Sequence, residues 1–348
     1  MRRRSFFQRN GYTVLFMIGL ATLTAFVLMD TFIFPHSIAV VETDAATEET
    51  AAVSAETGDT EQDDAAAGQT SAQAETEETQ SVIETAVSAE ETATPEPTAT
   101  PEPVLTDTSY VSDDVSITIL TLRVNNTDVY VADIQLSSAD ALKTALAQGV
   151  YGTNVTETTS TIAAENDAIF AVNGDYYGAN KRGYVIKNGI VYRDTVRQGD
   201  DTEDLVIYAD GSFGIIDETQ VSAQELADDG VVQLFAFGPA LVEDGEIAVS
   251  KSEEVDRAST SNPRTAIGIV DALHYIVVVS DGRTSESDGL TLYELAEVMQ
   301  QYGCTTAYNL DGGGSSTMVF AGEVVNNPTT NGKKITERAV SDIVYVSA

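Results

Sequence analysis

The chain divides by the texture of its apolar positions. An uncharged, largely apolar run extends from Gly11 to Met29, and further apolar residues follow Asp30 as far as Val41. A run of 19 residues is about enough for one helix to cross a bilayer. Between 42 and 104 the pattern disappears: the stretch is Ala, Thr, Glu, Ser and Gln, with no aromatic residue and few apolar side chains larger than Val. Beyond 104, short apolar runs recur. Ser116–Val124, Asp128–Gln135, Ala168–Val172, Leu205–Tyr208, Val231–Phe237, Ala266–Val270, His274–Val279 and Thr305–Leu310 read as strands. Asn188-Gly189 between two such runs is a two-residue hairpin signal, and Asp210-Gly211 and Asp244-Gly245 resemble it.

Helices are fewer. Asp140–Gln148 behind Ser137-Ser138 is one candidate. Leu292–Tyr302 is the clearer one, because Thr291 and Glu294 spell a capping box, Leu292, Leu295, Ala296 and Met299 share a face, and Gly303 ends it. The expected organisation is a tail (1–10), a transmembrane signal anchor (11–41), a disordered acidic linker (42–104) and one domain (105–348). That domain is expected to be α+β, a strand-rich mixed sheet with few helices.

Charge sharpens this division. The net charge is −37, yet the first 41 residues hold four arginines against one aspartate, and 42–104 hold 17 acidic residues and no Lys or Arg. Arg2, Arg3, Arg4 and Arg9 would keep the N-terminus cytoplasmic and send the rest outward. A cleaved signal peptide is the competing reading, though no clear small-x-small cleavage site follows the run. The linker cannot bury enough surface to offset its ordering entropy, so it would act as an extended tether. The remaining residues, 14 basic and 37 acidic, offer no basic face for nucleic acid. A single cysteine, Cys304, rules out an intrachain disulfide, and two histidines, His36 and His274, rule out multi-histidine metal sites. Chemistry here must rest on carboxylates, arginines, hydroxyls and backbone. A divalent cation among the acidic residues stays an open option, and the metal ligands are unknown.

Candidate chemistry gathers at strand ends. Asn309-Leu310-Asp311-Gly312-Gly313-Gly314-Ser315-Ser316 follows an apolar run, and three consecutive glycines cost chain entropy unless backbone geometry or close approach requires them. The alternative is a tight structural turn. His274–Val279, Leu292–Tyr302 and Thr305–Leu310 form a strand–helix–strand unit, most simply a parallel crossover with both strands ending at one sheet edge. Asp281-Gly282-Arg283 would then face Asp311 and the glycines, where ligands of such units bind; on its own, Asp281-Gly282 is equally a turn. Asn173-Gly174-Asp175-Tyr176-Tyr177 ends another strand with groups suited to a sugar, or forms a plain Asn-Gly turn. Arg264, in Pro263-Arg264-Thr265, is placed to grip a phosphate or to form a surface ion pair. Cys304 and His274 read as structural, and Phe237-Gly238-Pro239-Ala240 as a bend.

Taken in order, Asn173–Tyr177, Gly238-Pro239, Pro263–Gly268, Asp281–Arg283 and Leu310–Ser316 resemble the phosphodiester glycosidase domain family across roughly Ala168 to Val346. Asp175 departs from the family pattern, which often has a second glycine there. The resemblance implies an extracytoplasmic hydrolase that cleaves a sugar-1-phosphodiester at the anomeric carbon, acting on cell-envelope or exopolysaccharide glycan. Asp311, Asp281 and Asp175 are the expected catalytic residues. Asn173, Tyr176, Arg264, Arg283, Gly312, Gly313, Gly314, Ser315 and Ser316 are expected to bind substrate. A non-catalytic tethered glycan-binding module and a phosphodiesterase acting at phosphorus are the rival readings.

Overall fold

The computed structural model describes residues 102–199, 202–251 and 260–348, together with Leu20, Thr22, Thr24, His36 and Ser37. The expected anchor and linker therefore lie almost wholly outside the described residues. No helix among the described residues is long and apolar enough to cross a membrane.

Six strands carry the candidate site: β1 (Ala168–Asn173), β2 (Ala240–Glu243), β3 (Arg264–Asp271), β4 (His274–Ser280), β5 (Thr306–Leu310) and β6 (Asp342–Ser347). The larger sheet has nine strands in the order Glu246–Ile247, β2, β5, β3, β4, Thr127–Leu136, Val115–Val124, Ser109–Val111, Val104–Leu105. A second sheet has five: Glu323–Val324, Met318–Phe320, β1, β6 and Leu142–Leu146. A three-stranded sheet joins Phe213–Asp217, Glu203–Tyr208 and Val231–Phe235. Three α-helices occur among the described residues, α1 (Thr159–Glu165), α2 (Ala223–Asp228) and α3 (Leu292–Gln301). The strand-rich α+β expectation is met.

The strands alternate, and the alternation builds layers. Tyr130, Ala132, Ile134, Tyr275, Val277 and Val279 point to one face of the large sheet, where they meet Phe170, Val172, Val344 and Val346 of the second sheet. Val129, Val131, Ile276 and Val278 point to the other face, onto Leu292, Leu295, Ala296 and Met299 of α3. Ala171, Val319, Ile343 and Tyr345 on the outer face of the second sheet receive Ile162 and Ala163 of α1. Helix, sheet, sheet and helix thus stack so that the central strands of both sheets are buried on both faces. This explains why Tyr275–Val279 is apolar throughout rather than every second residue.

Two expectations are corrected. Every ladder among the described residues is antiparallel, so the sheet is not mixed. The crossover from β4 through α3 to β5 survives in a modified form. β3 lies between them and pairs antiparallel with each, so β4 and β5 are parallel to one another without touching. Their carboxyl ends do share one edge. Asp140–Gln148 is also not a helix. Leu142–Leu146 pairs residue for residue with β6, from Leu142 opposite Val346 to Leu146 opposite Asp342. A place at the margin of a half-built sheet outweighs the helix propensity of Ala and Leu.

Candidate active site

The loop after β5 is shaped by close approach. A side chain at Gly312 would stand 3.0 Å from the Pro263 carbonyl, one at Gly313 2.9 Å from the Arg283 guanidinium, and one at Gly314 2.5 Å from Thr330 Oγ1. Gly313 also has φ +63°, a conformation that penalises any Cβ. Three glycines therefore admit three separate neighbours against one turn of backbone. That turn swings Ser315 back, and its hydroxyl donates to Asp311 Oδ2 at 2.7 Å. Arg338 closes the group. Its Nη2 donates to Asp311 Oδ2 at 2.8 Å and to Oδ1 at 3.1 Å, while its Nε donates to Ser315 Oγ at 2.8 Å. Burial pushes the Asp311 carboxyl above the ordinary carboxylate value, and Arg338 and Ser315 offset this only in part.

Asp311 opens onto a cavity of about 490 Å³. Four arginines line it, Arg197, Arg264, Arg283 and Arg338, beside Asn262, Asn309, Gly312 and Gly313. Tyr176, Asn180, Ala236, Phe237 and Gly238 complete the wall. Residues 105–348 contain only eight arginines, so half of them converge on this cavity in a strongly acidic protein. Asp311 is the one carboxylate among the described residues that line it. The arrangement can attract an anion and present it to a single carboxyl group. Among the described residues no group of three or more His, Cys, Asp or Glu is placed to hold a metal ion.

Several expected site residues are brought to this cavity and others are turned away from it. Arg264, Arg283, Gly312, Gly313, Tyr176 and Asp311 line it. Arg264 is pinned beneath by Nε donating to Leu290 O and Nη2 to Thr260 O, both at 3.0 Å. Arg283 is oriented by Asn262 Oδ1 and Thr330 O. Asn173 is wholly internal. Its Nδ2 donates to the Asp311 carbonyl at 2.6 Å, and its Oδ1 accepts from Thr265 Oγ1 and from the Thr317 backbone. It ties the ends of β1, β3 and β5 together instead of facing a sugar. Asp281 is likewise taken up, accepting from Asn326, Tyr130 and both the backbone and the side chain of Asn327. It anchors the Asn326-Asn327 loop and does not line the cavity. The Gly313 N–H donates to Pro263 O, so it is not available to a bound anion. Gly314, Ser315 and Ser316 are buried behind the cavity surface.

Asp175 stands on a smaller cavity of about 70 Å³, whose walls include Tyr176, Asp311 and Arg338. Its Oδ2 accepts from the Ala236 N–H at 2.8 Å, and its own N–H donates to Asp342 Oδ1 at 2.7 Å. Asp342 is fully buried and paired with Lys187 Nζ at 2.8 Å, and that ammonium lies 3.8 Å from the Phe235 ring centroid. Burial and the neighbouring Asp175 push the Asp342 carboxyl up while Lys187 pulls it down. Sequence reasoning missed Arg338, Arg197, Asn309, Phe237 and this ion pair. Arg338 lies between β-elements with no periodic pattern around it. The scarcity of arginine in an acidic chain was the usable signal.

A family model described as phosphodiester glycosidase matches residues 166–347. The chain is 30% identical over 200 residues to the SPbeta prophage-derived uncharacterized protein YomE of Bacillus subtilis, covering 57% of this chain and 30% of that protein. It is 32% identical over 130 residues to the N-acetylglucosamine-1-phosphodiester alpha-N-acetylglucosaminidase of Mus musculus, covering 33% of this chain and 25% of the mouse protein. The chain thus spans less than a third of the length of either relative. Among solved structures, the catalytic domain of the zebrafish N-acetylglucosamine-1-phosphodiester alpha-N-acetylglucosaminidase, auto-inhibited by its pro-peptide, shares the fold with a TM-score of 0.54 at 21% identity, over 68% of this chain and 83% of that one. With more than half of its length matched, from the strand that carries Asn173 to the strand that carries Asp342, this chain belongs to the phosphodiester glycosidase family.

Proposed function

We propose that the protein hydrolyses a sugar-1-phosphodiester, breaking the bond between the anomeric carbon and the bridging oxygen. The observation that carries this reading is the convergence of four arginines around one carboxylate, Asp311. Arginines suit a phosphodiester, whose non-bridging oxygens accept charge-assisted hydrogen bonds. A carboxylate suits an anomeric carbon, which gains oxocarbenium character as its bond to oxygen lengthens. In the proposed reaction the C1–O electron pair leaves with the phosphate, which departs as a phosphomonoester. Water supplies the new C1–O bond and gives up a proton, and the free sugar is released. A phosphate needs little protonation to leave, consistent with a lining that holds no histidine. Asp311 stabilises the positive carbon, by charge or by direct attack, and Arg338 and Ser315 hold its carboxylate in place.

The basic start, the apolar 11–41 run and the acidic 42–104 stretch support placing the domain outside a membrane, on cell-envelope or exopolysaccharide glycan. Protease accessibility of the domain in intact cells tests that placement. The chemistry is tested by hydrolysis of methyl sugar-1-phosphates in ¹⁸O-water by the full chain, with and without chelator. Label in the sugar is the expected result. Label in the phosphate identifies a phosphodiesterase, and glycan binding without turnover identifies a binding module. Either outcome rejects the proposal.

A further inference from the structure

Strand order assigns a direction to the cavity. At the edge where β5 ends, β2 lies on one side of it and β3 and β4 on the other. Asp311 leaves β5 and so stands between two unlike walls. The β3–β4 wall carries Arg264 and Arg283, both hydrogen-bond donors with no acceptor to offer. The β2 wall carries Ala236, Phe237 and Gly238, just before Ala240 opens the strand, and the arginine on that side, Arg197, is committed to Asp204, Glu218 and the Ala236 carbonyl. There Phe237 meets Tyr176 edge to face, with ring centroids 6.4 Å apart and planes at 84°. Tyr176 is 44% exposed, a large amount for an aromatic ring in a site wall.

A second observation points the same way. Asn309 lines the cavity on β5, and its Nδ2 donates to Gly238 O at 2.7 Å, on the aromatic side. Its Oδ1 is buried and has no hydrogen-bond partner among the described residues. An unpaired buried acceptor carries a free-energy cost that a ligand donor would remove. A phosphodiester has no donor, whereas a sugar has several hydroxyls. The aromatic pair offers a surface for the C–H face of a pyranose.

We infer that the cavity is polar along the strand order: the sugar ring docks against Phe237 and Tyr176 with a hydroxyl or amide donating to Asn309 Oδ1, and the phosphate docks on the Arg264–Arg283 side. This rests on the sugar-1-phosphodiester reading. It makes Phe237 a specificity-determining residue, in a segment whose sequence suggests only a bend.

The test is competitive inhibition of hydrolysis by the two halves of the product. Free N-acetylglucosamine, glucose and mannose are one set of probes and methyl phosphate is the other, each with the full chain hydrolysing the corresponding methyl sugar-1-phosphate. Phe237→Ala should weaken inhibition by the best sugar about five- to tenfold and leave methyl phosphate within about twofold, the scale of one aromatic contact. Tyr176→Ala, at a largely exposed position, should do the same. Arg283→Gln should show the reverse pattern. If both aromatic variants weaken methyl phosphate, or weaken neither probe, the polarity is wrong even though sugar is released. If the wild type releases no sugar from any diester, the underlying reading fails and the polarity falls with it.

Discussion

At the scale of the residue, Asp311 shows how position sets chemistry. Burial raises the Asp311 carboxyl above its ordinary value, and the partner that holds it down is Arg338. If ionised Asp311 is the working form, activity falls as pH drops, with the acid limb displaced upward from that of an ordinary aspartate. Replacing Arg338 with Met removes the group that favours ionisation, so that limb should move to higher pH; pH profiles of kcat/KM for the two proteins measure it. An unchanged limb would dissociate Asp311 from the profile. Asp311→Asn, which keeps the shape and removes the charge, should lower kcat by about 10²–10⁴-fold with an unchanged circular dichroism spectrum. The triple glycine was legible in the sequence as a demand on backbone, but its reason was not. The neighbours that forbid side chains there, Pro263, Arg283 and Thr330, lie up to about fifty residues away in the chain.

At the scale of the element, local signals were reliable wherever the element satisfies itself. α3 begins at Thr291 with both halves of its capping box formed, and it ends at Gly303 with φ +82°. Thr291→Ala should cost about 1 kcal/mol, and Leu295→Ala, on the face buried against the large sheet, about 2–5 kcal/mol by denaturant unfolding. The Asn188-Gly189 turn is equally local: both residues take positive φ between paired strands. Asp140–Gln148 reads as helix and yet holds the strand Leu142–Leu146, because that strand's pairing is imposed by β6, some two hundred residues later. The sharing of one edge by β4 and β5 was readable from the strand–helix–strand unit. That β3 separates them was not, since β3 reaches its place through a hairpin with β4.

At the scale of the whole molecule, charge placement decides more than composition does. The chain is acidic, yet its arginines concentrate at one cavity, and its Lys187–Asp342 pair lies in the interior beneath that site. Lys187→Met would leave Asp342 buried without its counter-charge beside Asp175. The expected loss is about 3–5 kcal/mol in unfolding free energy, and recovery in the Lys187→Met, Asp342→Leu double variant would show that the unpaired charge is the cause. The sequence by itself determined the three textures of the chain, most strands, α3 and the family, because hydrophobic period, capping and turn chemistry act between near neighbours. It also singled out Asp311, Arg264 and Arg283. Only the tertiary structure showed that Asn173 and Asp281 are tied into the framework, that Arg338 clasps Asp311, and that Phe237 and Asn309 face the arginines across it. Those roles depend on which strands lie side by side, and strand order is set by long-range packing, which no local pattern encodes.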